Sequence, residues 1–87
     1  MLKKSFTVKS EKGLTSRASA ALVSEANKFK CELRLICEDE VADLKSIMNI
    51  MGLVVKKGMI FTVTAEGIDE DCVLDKIENI LKDTRVI

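Results

Sequence analysis

The side chains able to act as nucleophiles are hydroxyls and thiols, and no histidine is present to assist them. The 87-residue chain has no histidine, so it lacks an imidazole as base, metal ligand or phosphoryl acceptor. Ser–His and Cys–His pairs are therefore excluded. Cys31, Cys37 and Cys72 are odd in number and lack CxxC spacing, which favours reduced thiols in a cytoplasmic protein over disulfides or metal ligands. The sequence predicts no enzyme, no cofactor and no metal.

Among the hydroxyls, Ser46 has the strongest case for a functional role. It stands directly before a short apolar run that ends at Gly52, a position typical of a helix N-cap. The apolar side chains of this run cannot all enter the core of so small a domain. Outward-facing Ile47, Met48 and Met51 beside a serine predict a docking surface with a phosphate switch. The alternative is that Ser46 only caps a helix and the methionines only fill gaps in the core.

A second group of candidate residues, Gly13, Thr15, Ser16 and Arg17, precedes or begins the first predicted helix. Thr15 and Ser16 are residue types that cap helices, so a structural role is predicted for one of them. The free N–H groups of the helix start would form a weak anion site together with Arg17. The alternative is that Arg17 is a solvated surface charge or contacts a partner.

The apolar pattern predicts the elements that position these residues. Period-two alternation predicts strands over Leu2–Val8, Glu32–Cys37, Val41–Asp43 and Met59–Ala65. Helical spacing predicts a first helix with a stripe of Ala18, Leu22, Ala26 and Phe29, a short helix after Ser46, and a last helix capped by Asp69 with Val73, Ile77, Ile80 and Leu81 buried. The order β-α-β-β-α-β-α predicts a single α+β domain over residues 1–87, with the helices on one face of an antiparallel sheet.

Composition narrows the classes of partner. Fourteen basic and fourteen acidic residues give zero net charge, and the only aromatic residues are three phenylalanines. Neither a general attraction to nucleic acid or acidic membranes nor a stacking platform for bases is therefore expected. No apolar run approaches the roughly 20 residues that span a bilayer. The first residues lack the apolar core of a signal peptide, so a cytoplasmic location is predicted.

Short motifs distributed over the whole chain carry a family resemblance. They are Gly13-Leu14 with Arg17, Glu25 to Phe29, Lys45 to Met51, Gly58, and Gly67 with Asp69-Glu70. Together they resemble the HPr family, the small histidine-containing phosphocarriers of the bacterial sugar phosphotransferase system. The resemblance implies that family's fold, an open-faced sandwich of four antiparallel strands covered on one face by three helices.

The resemblance breaks at the active-site histidine. The family pattern reads Gly-Leu-His-Ala-Arg-Pro, whereas this chain reads Gly-Leu-Thr-Ser-Arg-Ala from Gly13 to Ala18. Thr15 therefore stands where the family carries its phosphohistidine. A phosphohistidine has a high transfer potential, whereas a phosphothreonine is a stable ester that cannot relay its phosphoryl group. The resemblance thus implies a former active-site loop without phosphocarrier activity.

The motif around Ser46 matches the family throughout. In the family this serine is phosphorylated by an ATP-dependent HPr kinase/phosphorylase, and the product binds a LacI-type catabolite-control repressor. The Crh branch lacks the histidine and acts only as a regulator, although it carries glutamine where this chain has Thr15. The resemblance implies a Crh-like regulator of carbon catabolite control. From its position next to Ser46, Lys45 is expected to screen the phosphate. The alternatives are a degenerate paralogue without regulation and a small-molecule-binding α+β domain.

Overall fold

Four strands and three helices follow one another in the order predicted from the sequence. The computed structural model describes all residues from 1 to 87. Its strands are β1 (Leu2–Thr7), β2 (Glu32–Cys37), β3 (Glu40–Asp43) and β4 (Ile60–Glu66). Its helices are α1 (Ser16–Ala26), α2 (Ile47–Met51) and α3 (Glu70–Asp83).

The strands form one antiparallel sheet in the order β1-β4-β2-β3. Phe61 on β4 lies opposite Phe6 on one neighbouring strand and opposite Cys37 on the other. Burial alternates along β4, where Phe61, Val63 and Ala65 are buried and the residues between them are not. One face of the sheet is thus covered by the helices while the other faces solvent, which confirms the predicted open-faced α+β fold.

A single cluster of buried apolar residues lies between the sheet and the helices. The Phe6 and Phe61 rings pack at 5.5 Å between centroids in a tilted arrangement, which is a favourable geometry for an aromatic pair. The helices contribute Ala18, Leu22, Ala26, Ile50, Val73, Leu74, Ile77 and Leu81 to this cluster. Because every helix and strand contributes to one core, the placement of each helix relative to the sheet depends on the packing of the whole domain.

The bounds of several elements differ from the prediction by about one residue. The first strand ends at Thr7, the third begins at Glu40, and the fourth runs from Ile60 to Glu66. The backbone N–H of Met59 donates to the carbonyl of Lys56, so Met59 belongs to the preceding turn. Helix α1 ends at Ala26, and Phe29 packs on the core from the following loop. On α3, Leu74 is buried whereas Ile80 is only partly buried.

The prediction that the Asp69 side chain caps the last helix is wrong. Asp69 occupies the N-cap position of α3 but makes no side-chain cap hydrogen bond. Its carboxylate accepts hydrogen bonds from the backbone N–H groups of Lys30 and Cys31 at 2.8 and 2.9 Å. The Asp69 carboxylate therefore bonds to the segment before β2 and not to the free N–H groups at the start of α3.

Candidate functional site

The loop before α1 is held by a close approach between Gly13 and Val55. Gly13 has a φ of 68°, and a Cβ atom there would lie only 2.1 Å from the carbonyl oxygen of Val55. The neighbouring Leu14 N–H donates to the same oxygen at 3.1 Å. Only glycine fits this position, because it tolerates both the left-handed backbone and the contact.

Thr15 is the N-cap of α1, as the sequence predicted for one of the two hydroxyl residues. Its backbone is extended, and its Oγ1 accepts a hydrogen bond from the Ala18 N–H at 3.2 Å. Ser16 and Arg17 follow in the first helical turn with exposed side chains, and the Arg17 guanidinium forms no ion pair. The threonine hydroxyl is thus used structurally, while the arginine charge is available at the surface.

Ser46 is the N-cap of α2, in agreement with the sequence. Its Oγ accepts from the Asn49 backbone N–H at 3.4 Å and from the Asn49 side-chain Nδ2 at 3.2 Å. Its backbone N–H donates to the carbonyl of Asp43, and its carbonyl accepts from Ile50. Ser46 is partly exposed as a residue, and its hydroxyl has Asn49 as its only hydrogen-bond partner. The sequence analysis missed the part played by the Asn49 amide, which an asparagine three residues after a capping serine could have indicated.

The apolar residues after Ser46 divide between the core and the surface. Ile50 is 1% exposed and belongs to the core, whereas Met48 is 80% and Met51 55% exposed. Ile47 is partly exposed. We call Ile47, Met48 and Met51 the α2 patch. The α2 patch is therefore an apolar surface, mostly exposed, that directly follows Ser46.

Lys45 does not point at Ser46 in the structure. Its ammonium Nζ donates to the carbonyl oxygen of Phe29 at 2.7 Å. Its carbonyl accepts from the Asn27 side-chain Nδ2 at 3.2 Å. The expectation that Lys45 screens a phosphate on Ser46 therefore has no support in this arrangement. The residue instead joins the segment before α2 to the chain at the end of α1, a role that its position next to Ser46 did not reveal.

The two groups of candidate residues lie at opposite ends of α1. Thr15 caps its first turn, and Asn27, at its C-cap, contacts Lys45. An α-helix rises about 1.5 Å per residue, so the 11 residues of α1 span roughly 16 Å. The structure thus keeps the loop that precedes α1 apart from Ser46 and does not combine the two in one site.

The remaining polar features are thiols and shallow surface depressions. All three cysteines are free; Cys31 and Cys37 are buried and Cys72 is exposed. Burial is the main cause that raises the pKa of the Cys31 and Cys37 thiols.

Two depressions of about 290 and 300 Å³ are open to solvent, and neither includes Thr15 or Ser46. No cluster of potential ligand residues is arranged to hold a metal ion, and none of the helices is both long and apolar enough to cross a bilayer.

Comparison with known proteins gives a consistent family assignment. The family model PTS-HPr, described as the PTS HPr component phosphorylation site, matches residues 2–83. The phosphocarrier protein HPr of Mycoplasma pneumoniae is 39% identical over 88 residues, and the alignment covers 100% of both chains. The HPr of Mycoplasma capricolum is 34% identical over 87 residues, covering 100% of this chain and 98% of the relative.

Solved structures support the same assignment. A histidine-containing phosphocarrier protein of Mycoplasma has a TM-score of 0.96 at 34% identity, covering 99% of this chain and 98% of that one. The catabolite repression protein Crh of Bacillus subtilis, described as a swapped dimer, has a TM-score of 0.74 at 32% identity and 95% coverage of both chains. The matched family model is that of the HPr component of the phosphotransferase system. The chain belongs to the HPr family.

Proposed function

We propose that this HPr-family protein is a cytoplasmic regulator of carbon catabolite control. An ATP-dependent HPr kinase/phosphorylase phosphorylates Ser46, and the modified protein binds a LacI-type catabolite-control repressor. The observation that carries the proposal is that the partly exposed residue Ser46 is followed directly by the α2 patch, where Met48 is 80% exposed. A modifiable hydroxyl and an unpartnered apolar patch are thereby within reach of one protein partner.

A phosphate on Ser46 would change this surface in a defined way. It adds about −1.5 to −2 charges and three strong acceptor oxygens. Only the two hydrogen bonds from Asn49 have to rearrange around the modified oxygen. A partner would recognise the phosphate with arginine or lysine side chains and bury Met48 and Met51 beside it. Charge and apolar contact together would make binding depend on the modification.

The proposal includes the loss of phosphocarrier activity. The chain has no histidine, and the Thr15 hydroxyl already accepts the Ala18 N–H as a helix cap. A phosphate ester on Thr15 would be too stable to pass to another protein. Thr15→His tests whether only the acceptor is missing: uptake of phosphate from the family's upstream enzyme would show that Arg17 and the docking surface remain competent. Failure of a folded Thr15→His variant would show that the loop has changed further.

Intact-mass spectrometry after incubation with ATP and an HPr kinase tests the central claim. We expect one phosphate per chain, located on Ser46 by fragmentation, and none on Ser46→Ala. Thr15→Ala is the matched control, because it removes the other helix-capping hydroxyl and should still be phosphorylated. The phosphorylated protein should bind the repressor and Ser46→Ala should not. An unmodified wild-type protein that is shown to be folded would overturn the proposal in favour of a paralogue without regulation.

A further inference from the structure

All three strong hydrogen-bonding groups of the residue before Ser46 are engaged. The backbone N–H of Lys45 donates to the Asp43 carboxylate at 2.9 Å. Its carbonyl accepts from Asn27 Nδ2 at 3.2 Å, and its Nζ donates to the Phe29 carbonyl at 2.7 Å. Three separate contacts thus fix the position and direction of the chain where it enters Ser46.

Two of these contacts run in opposite directions between the same two segments. The Asn27 side chain reaches from the end of α1 to the Lys45 backbone, while the Lys45 side chain reaches back to the Phe29 backbone. Asn27 Nδ2 also donates to the Val23 carbonyl at 2.8 Å, which holds the amide against α1. We call this reciprocal pair of contacts, Asn27 to Lys45 and Lys45 to Phe29, the α1 latch.

The charge at this end of α1 favours the latch. The last turn of α1 contains no basic residue, although a helix C-terminus carries a partial negative charge. Lys28, the residue after the C-cap, is paired with Glu25, and Lys45 adds a further positive charge just beyond this end from a different part of the sequence. Its ammonium therefore has an electrostatic reason to remain near Phe29.

Helix α2 depends on such support because it is short. It has five residues, of which only Ile50 is buried, and isolated helices of this length are unstable in water. The orientation of the Ser46 hydroxyl is consequently fixed by what holds both ends of the segment. Ile50 anchors the helix in the core, and the α1 latch anchors the residue immediately before the serine.

We propose that Asn27 and Lys45 are positioning residues for the modification of Ser46. They hold the serine so that the kinase meets a folded surface made by α2 and the end of α1, and not a flexible linear segment. Lys45 acts through the placement of its backbone, and its ammonium is not the counter-ion of the phosphate. The inference rests on the proposed function, in which Ser46 is the phosphorylated residue.

Lys45→Met and Asn27→Ala test the latch, with Lys45→Arg as a rescue and Lys28→Met as a control. Lys28 is exposed and pairs only with Glu25 on the surface, so its loss should change neither measurement. The first measurement is amide hydrogen exchange of Asn49 and Ile50 in the unmodified protein, which needs no kinase. We expect both latch variants to exchange about tenfold faster at these amides, because local opening becomes easier when an anchoring hydrogen bond is lost.

The second measurement separates kcat from KM for phosphorylation of the folded variants. We expect Lys45→Met and Asn27→Ala to lower kcat by about tenfold with KM nearly unchanged, since a misplaced hydroxyl reacts slowly in a complex that still forms. Lys45→Arg should restore kcat, because a guanidinium N–H can also donate to the Phe29 carbonyl. Circular dichroism confirms that each variant is folded, and Asn27→Ala provides the test if Lys45→Met does not fold.

The possible outcomes are distinguishable. If the Asn49 and Ile50 amides of the two latch variants exchange no faster than those of Lys28→Met, the latch is overturned. Slower phosphorylation with unchanged exchange also overturns it, because Lys45 would then contact the kinase directly. If the wild-type protein is not phosphorylated, the proposed function fails and the positioning role fails with it, while faster exchange in the latch variants would still establish the latch as a structural contact.

Discussion

Asp69 and Cys31 connect the start of α3 to the start of β2. The Asp69 carboxylate accepts the Cys31 backbone N–H at 2.9 Å and the adjacent Lys30 N–H at 2.8 Å. Gly67 lies against the same place, since a Cβ atom on it would come within 2.6 Å of the Cys31 Cα. The connection between β4 and α3 is therefore packed and hydrogen-bonded onto the chain that enters the neighbouring strand.

Acid should weaken this connection. The hydrogen bond from the Lys30 N–H, followed by that from Cys31, holds the pKa of Asp69 below its usual 3.8. Because the folded pKa is the lower one, the stabilisation is complete above the unfolded value and is lost as pH falls through the folded value. We expect Asp69→Asn to lower the Tm at neutral pH. The difference in Tm between wild type and this variant should disappear as the pH falls below 3.8.

Thermal melts followed by circular dichroism at several pH values check this prediction. Asp39→Asn is the control, because Asp39 is exposed and its side chain makes no ion pair. A Tm difference between wild type and Asp69→Asn that stays constant with pH would contradict a stabilising role for the ionised Asp69 carboxylate.

Gly67 and Gly58 form a matched pair for the packing at Cys31. Both have positive φ, 149° and 90°, but a Cβ on Gly58 would meet nothing within 4 Å. Gly58→Ala should therefore lose only about 1–2 kcal/mol of unfolding free energy from backbone strain. Gly67→Ala should lose about 1–3 kcal/mol more, because the Cys31 backbone has to move. Urea unfolding of both variants measures the difference. Equal losses would show that the Cys31 backbone moves away from an alanine at position 67 without a further loss of stability.

The cysteines should differ in reactivity. Cys72 is exposed, whereas Cys31 and Cys37 are buried and burial raises their thiol pKa. Because the thiolate is the reactive form, we expect iodoacetamide to modify one cysteine in the folded protein and all three in urea. Mass spectrometry counts the adducts. Folded Cys72→Ser should gain none, and rapid modification of that variant would show that a buried thiol becomes accessible.

The two hydroxyl caps should contribute unequally to stability. Thr15 Oγ1 lies 3.2 Å from its backbone N–H donor and caps an 11-residue helix. Ser46 Oγ lies 3.4 Å from its backbone donor and caps a five-residue helix. We expect Thr15→Ala to lower the unfolding free energy by about 1 kcal/mol and Ser46→Ala by about 0.5 kcal/mol. Urea titration measures both, with Thr15→Ser expected to retain the cap; a larger loss in Ser46→Ala would reverse the ranking.

Substitutions at an exposed and at a buried residue of helix α2 should affect partner binding and stability differently. Met48 is exposed, so Met48→Ser should change the unfolding free energy by less than about 0.5 kcal/mol. Ile50 is buried in the core, so Ile50→Ala should lower it by about 2–5 kcal/mol. Under the proposed function, Met48→Ser should nevertheless weaken repressor binding by the phosphorylated protein. Calorimetric titration measures that binding, and unchanged affinity would remove Met48 from the docking surface.

Local sequence signals were sufficient for most of the architecture. Alternating apolar residues predicted β2 with the observed bounds, and capping hydroxyls predicted the starts of α1 and α2. These signals work because a strand or helix start depends on neighbours only a few residues away. The exposure of Met48 and Met51 was also foreseeable, since one short helix cannot turn every side chain inward.

What the sequence by itself determined was the order of the elements, most of the residues on their buried faces and the two capping hydroxyls. The tertiary structure alone decided that Asp69 bonds to Lys30 and Cys31, and that Lys45 bonds to Phe29 instead of turning toward Ser46. A local rule assigns Asp69 to its own helix and Lys45 to its neighbouring serine. Folding brought other donors and acceptors closer, and a polar side chain bonds to the partner that lies within reach, however distant that partner is in the sequence.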